Sequence, residues 1–321
     1  MKSPYRWIAT GIVATLALGA TACNRDSAGT TTADGKPVTI GLAVANLQAD
    51  FFNQIKQSVE AEAKKKGVKV VVADARGDAA TQVNQIQDFI SRQVSAIIYI
   101  PAGATAAGVP VKAATKANIP VITVDRNPED APGKSFIATD SVAAAKTLGE
   151  WVIRQKDGKG QLAILQGQIG TTPQVDRQKG FGQALAGAPG IKVVSQQTAD
   201  WAQDKAYSVA QDMLQAHPSI DIFWGQADAM ALGAAQAVKS ADGKKRLIVG
   251  FDGDVAGLKA VRNSTIDATM VQQTQKMGRM SVDSALNIIN GKTVPATQLQ
   301  PAFLLTKDDA AKADQYIKTH P

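Results

Sequence analysis

Histidine and cysteine are nearly absent from this sequence. Its 321 residues include two histidines, His217 and His320, and one cysteine, Cys23. Two distant histidines, each beside a proline, do not make a histidine metal site, and neither stands where a general base is wanted. A single cysteine excludes an intramolecular disulfide, so stability must come from burial. The first predicted strand and the turn after it, IGLAVANLQADFF, lack the glycine-rich turn of a nucleotide-dependent enzyme. No G-x-S-x-G nucleophile elbow is present either. The residues therefore argue against an enzyme and imply no cofactor. The formal net charge is +7, but the lysines are spread along the chain, and the run Lys64-Lys65-Lys66 closes a predicted helix, where cations suit the dipole. Without a basic cluster interleaved with aromatics, no nucleic-acid partner is expected.

Long apolar runs are also missing. The stretch from Ile8 to Ala20 follows the positive Lys2 and Arg6 and is too short to span a bilayer as a helix. It reads as the core of a signal peptide over residues 1–22, with Ala20-Thr21-Ala22 supplying small residues before the cleavage point. Cys23 directly after these small residues resembles a bacterial lipobox, although Ala20 stands where leucine is usual. That implies a lipid anchor at Cys23 and a membrane association through it. Residues 23–36, small and polar after the cysteine, form a tether. Export to the periplasm or the cell surface follows.

The mature chain alternates short apolar runs with amphipathic segments. Strands are expected at 38–44, 68–73, 96–100, 121–124 and 136–138, with helices at 51–66, 81–92 and 103–118 between them. The pattern then restarts. Helices at 141–156, 175–185, 201–216, 228–239, 255–262 and 276–290 alternate with strands at 162–165, 192–197, 220–224, 247–251 and 268–272. Strands alternating with helices of this length predict βαβ units and parallel sheets. The fold class is therefore α/β, as two similar lobes, each a parallel sheet flanked by helices.

Ligands of open α/β sheets bind beyond the carboxyl ends of the strands. Polar and aromatic residues gather there: Gln48 and the pair Phe51-Phe52, then Asp125-Arg126, Trp201, Gln226 with Asp228, Phe251-Asp252, and Gln272. A carboxylate accepts from two hydroxyls, a guanidinium forks onto two oxygens, and an amide does either. Aromatic rings cover an apolar C–H face. The set suits a neutral polyol, because Asp125 and Arg126 neutralise each other. Singly, each residue has a plainer reading: a surface ion pair at 125–126, core rings at 51, 52 and 201, a helix cap at Asp252.

The chain resembles the periplasmic sugar-binding proteins of the ribose-binding type, the soluble components of bacterial ABC importers, which have the type I periplasmic binding protein fold. The motifs carrying the likeness are IGLAVANLQADFF at 40–52, NIPVITVDRN at 118–127, ILQGQIGTTPQVDRQKGF at 164–181, QTADW at 197–201, QADAMALGA at 226–234, VGFDG at 249–253 and ATMVQ at 268–272. The resemblance implies a monosaccharide held between closing lobes by Phe51, Phe52, Asp125 and Arg126 on one side. On the other it implies Arg177, Trp201, Phe251 and Asp252, with Gln272 near the hinge. It also implies a three-strand hinge, one lobe of 37–139 plus 273–302 and a second of 140–272 plus 303–321. The partner would be an ABC permease of the inner membrane, and the protein would act as a monomer. Departures from the ribose pattern fall at Ala45, at Ala49 and Asp50 in place of Asn-Pro, at Ala227 in place of asparagine, and at Trp201 in place of phenylalanine. Asp50 is a candidate only as a residue that, like Gln48, could compensate for the amide missing at Ala49. Losing two amides should cost ribose roughly 1–3 kcal/mol each. A hexose, a cyclitol or another polyol, a signalling furanose and an amino acid remain open as ligands, as does chemoreceptor coupling.

Overall fold

A computed structural model describes Met1, residues 30–32 and residues 35–319. The signal segment, Cys23 and His320 lie outside the described residues. Among the described residues no helix is long and apolar enough to cross a membrane.

The chain first lays down β1 (Thr39–Val44), α1 (Asp50–Lys65), β2 (Lys69–Asp74), α2 (Ala79–Ser91), β3 (Ala96–Tyr99), α3 (Gly108–Lys116), β4 (Val121–Val124) and β5 (Ser135–Thr139). It then moves to a second body: α4 (Ser141–Gln155), β6 (Gly160–Gln166), α5 (Thr172–Leu185), β7 (Ile191–Thr198), α6 (Gln203–Ala216), β8 (Ile222–Gly225), α7 (Asp228–Ala241), β9 (Leu247–Val249), α8 (Val255–Arg262) and β10 (Ala268–Val271). It returns for α9 (Thr274–Ile289) and β11 (Thr297–Gln300), and ends in the second body with β12 (Phe303–Thr306) and α10 (Ala310–Thr319).

The first sheet runs β11-β5-β4-β3-β1-β2, all parallel, and the second β12-β10-β9-β8-β6-β7. In the second only the β10–β12 pair is antiparallel. The apolar runs become strands because both faces of each sheet are covered, so consecutive side chains are buried on opposite sides. In the first lobe, Ile40, Leu42 and Ile98 pack toward α1 and α9, while Ala43, Ile97 and Val121 pack toward α2, through Phe89, and α3. In the second, Phe223, Met230 and Leu258 form one core and Phe181, Trp224 and Phe251 the other, with the Phe181 and Trp224 rings stacked at 4.0 Å.

Three differences from the sequence expectations have local causes. The helix expected from residue 103 begins only at Gly108, because 103–107 forms a turn with Ala106 at φ 60°. Trp201 lies outside the helix expected from it, since Asp200 and Trp201 both take left-handed backbone (φ 49° and 68°) and α6 begins at Gln203. The strands β11 and β12 and the helix α10 were not anticipated. β11 reads TQLQ, too polar for an apolar run, and both strands are edge strands that one neighbour suffices to fix.

The two sheets are joined where β5 passes to α4, β10 to α9 and β11 to β12. These crossings are tied to one another. Asp140 donates its N–H to Gln300 O (2.8 Å), and the Gln273 amide donates to Pro301 O (2.8 Å).

Helices α4 and α5 pack tightly against each other, and glycine makes this possible. A Cβ on Gly180 would stand 2.1 Å from the carbonyl oxygen of Val142, whereas one on Gly182 in the same helix would meet nothing within 4 Å. Gly180→Ala should therefore destabilise the protein by about 1–3 kcal/mol despite alanine's better helix propensity. Gly182→Ala should stabilise it by up to about 1 kcal/mol. Calorimetric melting of both variants checks the pair, and equal shifts would refute the packing argument.

Candidate ligand-binding site between the lobes

The carboxyl ends of the strands of both sheets face the same cleft, and the charged residues meet there. At the end of β4, Asp125 takes a left-handed φ of 63° while its N–H still bonds Ile137 O at 2.9 Å. The strand therefore ends in an abrupt turn. Asp125 and Arg126 are 6% and 5% exposed, which excludes the reading as a surface ion pair. Arg126 Nε lies 3.6 Å from the Asp125 carboxylate. Its terminal nitrogen donates to Pro101 O (2.9 Å) and Ala102 O (3.1 Å) at the end of β3. Its guanidinium also sits 5.3 Å from the Phe52 ring centre. Phe51 and Phe52, at the start of α1, pack edge to face at 5.2 Å.

The second lobe presents a matching set. Arg177, 2% exposed on α5, donates to Gln226 O and pairs with Asp252 at 3.2 Å. Its guanidinium stacks on Phe251 at 3.9 Å and lies 5.5 Å from Trp201. Trp201 lies directly over Gly167, where a Cβ would come within 2.0 Å of the ring. Asp252, at φ 131°, accepts from the Gln272 amide at 2.8 Å, and the other end of that amide accepts from Thr139 Oγ1 at 2.6 Å. Gln272 thus connects the hinge to the site. Asp252 is not the cap of α8: Asp254 fills that role, accepting from Gly257 N.

The lobes touch across the cleft. Arg126 reaches Gln168 Oε1 at 3.4 Å and lies 5.8 Å from the Trp201 ring. Asn127 N donates to Thr172 Oγ1 at 2.9 Å, and that hydroxyl donates back to Asn127 O at 3.2 Å. Gln168, Asn127 and Thr172 were not singled out in the sequence. Each lies inside or beside a motif quoted above, but polar residues of that kind carry no signal of an inter-lobe role.

Some expected site residues stand elsewhere. Asp228 is fully buried behind the site and accepts from Gly253 N (2.8 Å), Asp254 N (3.2 Å) and Thr269 Oγ1 (2.6 Å). It fits because Gly250 and Gly257 have no Cβ, which would fall 2.2 and 2.0 Å from its carboxylate. Asp228 therefore pins the loop that carries Asp252. Phe251 is 0% exposed and backs Arg177. Gln48 remains exposed in the turn before α1, and Asp50 uses its carboxylate on Gln54 and on the second lobe. Gln226 is also spent internally, on Gly167 N and Gln178.

The electrostatics follow from burial. Desolvation raises the Asp125 carboxyl above its ordinary range, opposed by Arg126 and Arg177. It lowers Arg126, opposed chiefly by Asp125. Asp252 is pushed up to about 7, mainly by desolvation, with Arg177 opposing and Asp254 and Asp125 adding to the rise. With Asp252 ionised, the formal charges of Asp125, Arg126, Arg177 and Asp252 cancel. Among the described residues, no hydrogen bond engages the Asp125 carboxylate. Arg126 Nε, Arg177 Nε and Trp201 Nε1 are buried donors that make no hydrogen bond. Unsatisfied buried groups cost about 1–3 kcal/mol each, so the closed cleft holds unused capacity for a ligand with several hydroxyls. Among the described residues no cluster of histidine, cysteine or acidic side chains is placed to hold a metal.

Comparison with known proteins identifies the family. Residues 40–293 match the periplasmic binding protein domain family. The ribose import binding protein of Bacillus subtilis is 34% identical over 273 residues, covering 85% of this chain and 88% of its own. The xylitol-binding protein of Mycolicibacterium smegmatis is 32% identical over 305 residues, covering 94% and 86%. Among solved structures, an ABC transporter solute-binding protein from Bacillus halodurans with bound myo-inositol superposes with a TM-score of 0.82 at 28% identity, covering 89% of this chain and 99% of its own. On its match over most of its length, and on relatives above 30% identity, this chain belongs to the periplasmic binding protein family, in its ribose-binding type.

Proposed function

We propose that the protein is the substrate-binding component of a bacterial ABC sugar importer. It captures a neutral monosaccharide, a pentose or hexose, between two closing lobes and performs no chemistry on it. The observation that carries this reading is the charge-balanced quartet Asp125, Arg126, Arg177 and Asp252, two from each lobe and nearly buried. A neutral ligand bearing adjacent hydroxyls satisfies such a set without leaving an unpaired charge. The moving bodies are 37–139 plus 273–302 and 140–272 plus 303–321, and closure follows from the ligand's contacts with both. Phe51, Phe52 and Trp201 cover its C–H faces, Gln272 helps to orient Asp252, and Asp228 and Phe251 act from behind. The exported chain is anchored through Cys23 and works as a monomer beside its permease.

Ribose is a poor bet for the cognate sugar. Ala49 and Ala227 are the N-cap residues of α1 and α7, and neither provides a side-chain hydrogen bond. Asparagine there would offer an amide to the cleft, and each amide lost costs ribose roughly 1–3 kcal/mol.

Melting shifts with ribose, arabinose, allose, galactose, xylitol and myo-inositol test the function. At least one should raise the melting temperature by several degrees, as a ligand at a hundred times its Kd adds about 2.7 kcal/mol. A flat response to the whole panel would refute the sugar reading. For whichever sugar binds, Asp125→Ala should weaken affinity at least about hundredfold by titration calorimetry, since two charge-assisted bonds are lost. Unchanged affinity would remove the residue from the site.

Proton linkage gives a further expectation. Because the folded-state pKa of Asp252 is raised, the ligand-free protein holds a proton there between about pH 4 and 7, and its contribution to stability falls as pH rises through that window. A hydroxyl donor favours the charged carboxylate, so binding at pH 7 should release a fraction of a proton. Affinity should weaken below pH 7, by at most about tenfold per unit. Calorimetry in two buffers of different ionisation enthalpy measures the release, and no release would contradict this role for Asp252.

A further inference from the structure

The sequence places Asp50 beside Phe51 and Phe52, as a candidate ligand contact. In the structure its carboxylate turns away to the other lobe. Asp50 Oδ2 accepts the backbone N–H of Val255 at 3.3 Å. Val255 is the first residue of α8, so this N–H has no partner within its helix and sits at the positive end of the helix dipole. The cap residue Asp254 covers Gly257 N and leaves Val255 N to the opposite lobe. Asp50 does not reach across unsupported. Gln54, one turn along α1 and 6% exposed, donates its amide to the same oxygen at 3.2 Å. The Gln54 carbonyl accepts from Thr274 Oγ1 at 2.8 Å, and Thr274 is the first residue after the β10-to-α9 crossing. A continuous line of hydrogen bonds therefore runs from the hinge through Gln54 and Asp50 to the start of α8. That helix follows directly on the loop carrying Asp252.

We propose that Asp50 is a closure latch: a positioning residue that holds the second lobe's α8, and with it Asp252, against the first lobe, and so sets how long the closed state lasts. This rests on the reading of the cleft as a ligand site that works by lobe closure, but not on which sugar occupies it. The contact exists only when the lobes are closed, so it acts on opening and leaves the encounter untouched. Removing it should speed ligand release and spare association.

The test has two arms. For the panel sugar with the largest melting shift, stopped-flow kinetics should show koff raised about tenfold by Asp50→Ala, with kon within threefold of the parent. Asp50→Asn, which keeps an acceptor but loses the charge, and Gln54→Leu, which removes the brace, should fall between. In the ligand-free protein, single-molecule energy transfer between a dye on each lobe should show the closed population reduced by a similar factor in Asp50→Ala. The second arm needs no sugar, so it still judges the latch if the sugar reading fails. A koff within twofold of the parent, or a ligand-free closed population unaltered by the substitution, overturns the proposal. A slower kon with unchanged koff would make Asp50 an encounter residue and overturn it equally.

Discussion

Everything in the cleft depends on burying four charges at the contact between two bodies. Taking an ion out of water costs several kcal/mol, and a single close partner rarely offsets that in full. Here each guanidinium is also bonded to strand-end backbone: Arg126 to Pro101 O and Ala102 O, Arg177 to Gln226 O. Those carbonyls are free to accept because they lie just past the ends of β3 and β8, where the sheet ladder stops. The parallel sheet therefore does more than carry the site. It leaves unpaired acceptors at one edge only, and that edge is where the arginines can be buried.

A second requirement falls on the backbone. Asp125, Trp201 and Asp252 all have positive φ, at 63°, 68° and 131°, and Asp200 joins them at 49°. Such conformations cost non-glycine residues on the order of 1–3 kcal/mol each and persist only where the surroundings hold them. At Asp125 and Asp252 the turn swings the side chain off the strand direction, whereas the Asp200 carboxylate stays within its own lobe, accepting from Thr198 Oγ1 at 2.8 Å. The supports are identifiable: Ile137 O holds Asp125 N, Gly167 leaves room for the Trp201 ring, and Asp228 pins the loop after Asp252. Strained backbone thus occurs at three residues of the cleft, and the buried groups behind them hold it in place.

Much of this was legible in the sequence, and the illegible parts share a cause. The βα alternation shows through because both faces of each sheet are buried, which writes apolar runs such as VITV and IFWG. Asp125, Arg126 and Asp252 stand out because charge at the tip of a buried strand has no packing reason, whereas Arg177, inside α5, is pointed to only by the family resemblance. Asp228 and Phe251 were named on the same logic, yet they sit one layer back. Sequence position places a residue at a strand end but does not say whether its side chain faces the cleft or the core. In FDGDV, either aspartate could cap the following helix, and only the backbone angles assign Asp254 to the cap and Asp252 to the cleft. Asn127, Thr172 and Gln168 escaped notice because their partners lie across a gap between lobes, and no local pattern records such a pairing.

The nature of those inter-lobe contacts matters for how the protein works. A ligand can shift an opening equilibrium only by the difference in its affinity for the two states. If large apolar surfaces met across the cleft, burial at about 25 cal/mol per Å² would close the lobes without a ligand and make release slow. The contacts seen here are of another kind. They are few and polar: Val255 N to Asp50, two bonds between Asn127 and Thr172, a long one from Arg126 to Gln168, and the Arg126 guanidinium 5.8 Å from the Trp201 ring. Each hydrogen bond contributes on the order of 1 kcal/mol net. Beside them stand the buried donors Arg126 Nε, Arg177 Nε and Trp201 Nε1, which make no hydrogen bond in the protein. A polyol that satisfies those donors removes the cost of leaving them unpaired, about 1–3 kcal/mol each, and adds contacts to both lobes, so its differential affinity for the closed arrangement is the quantity that sets any shift.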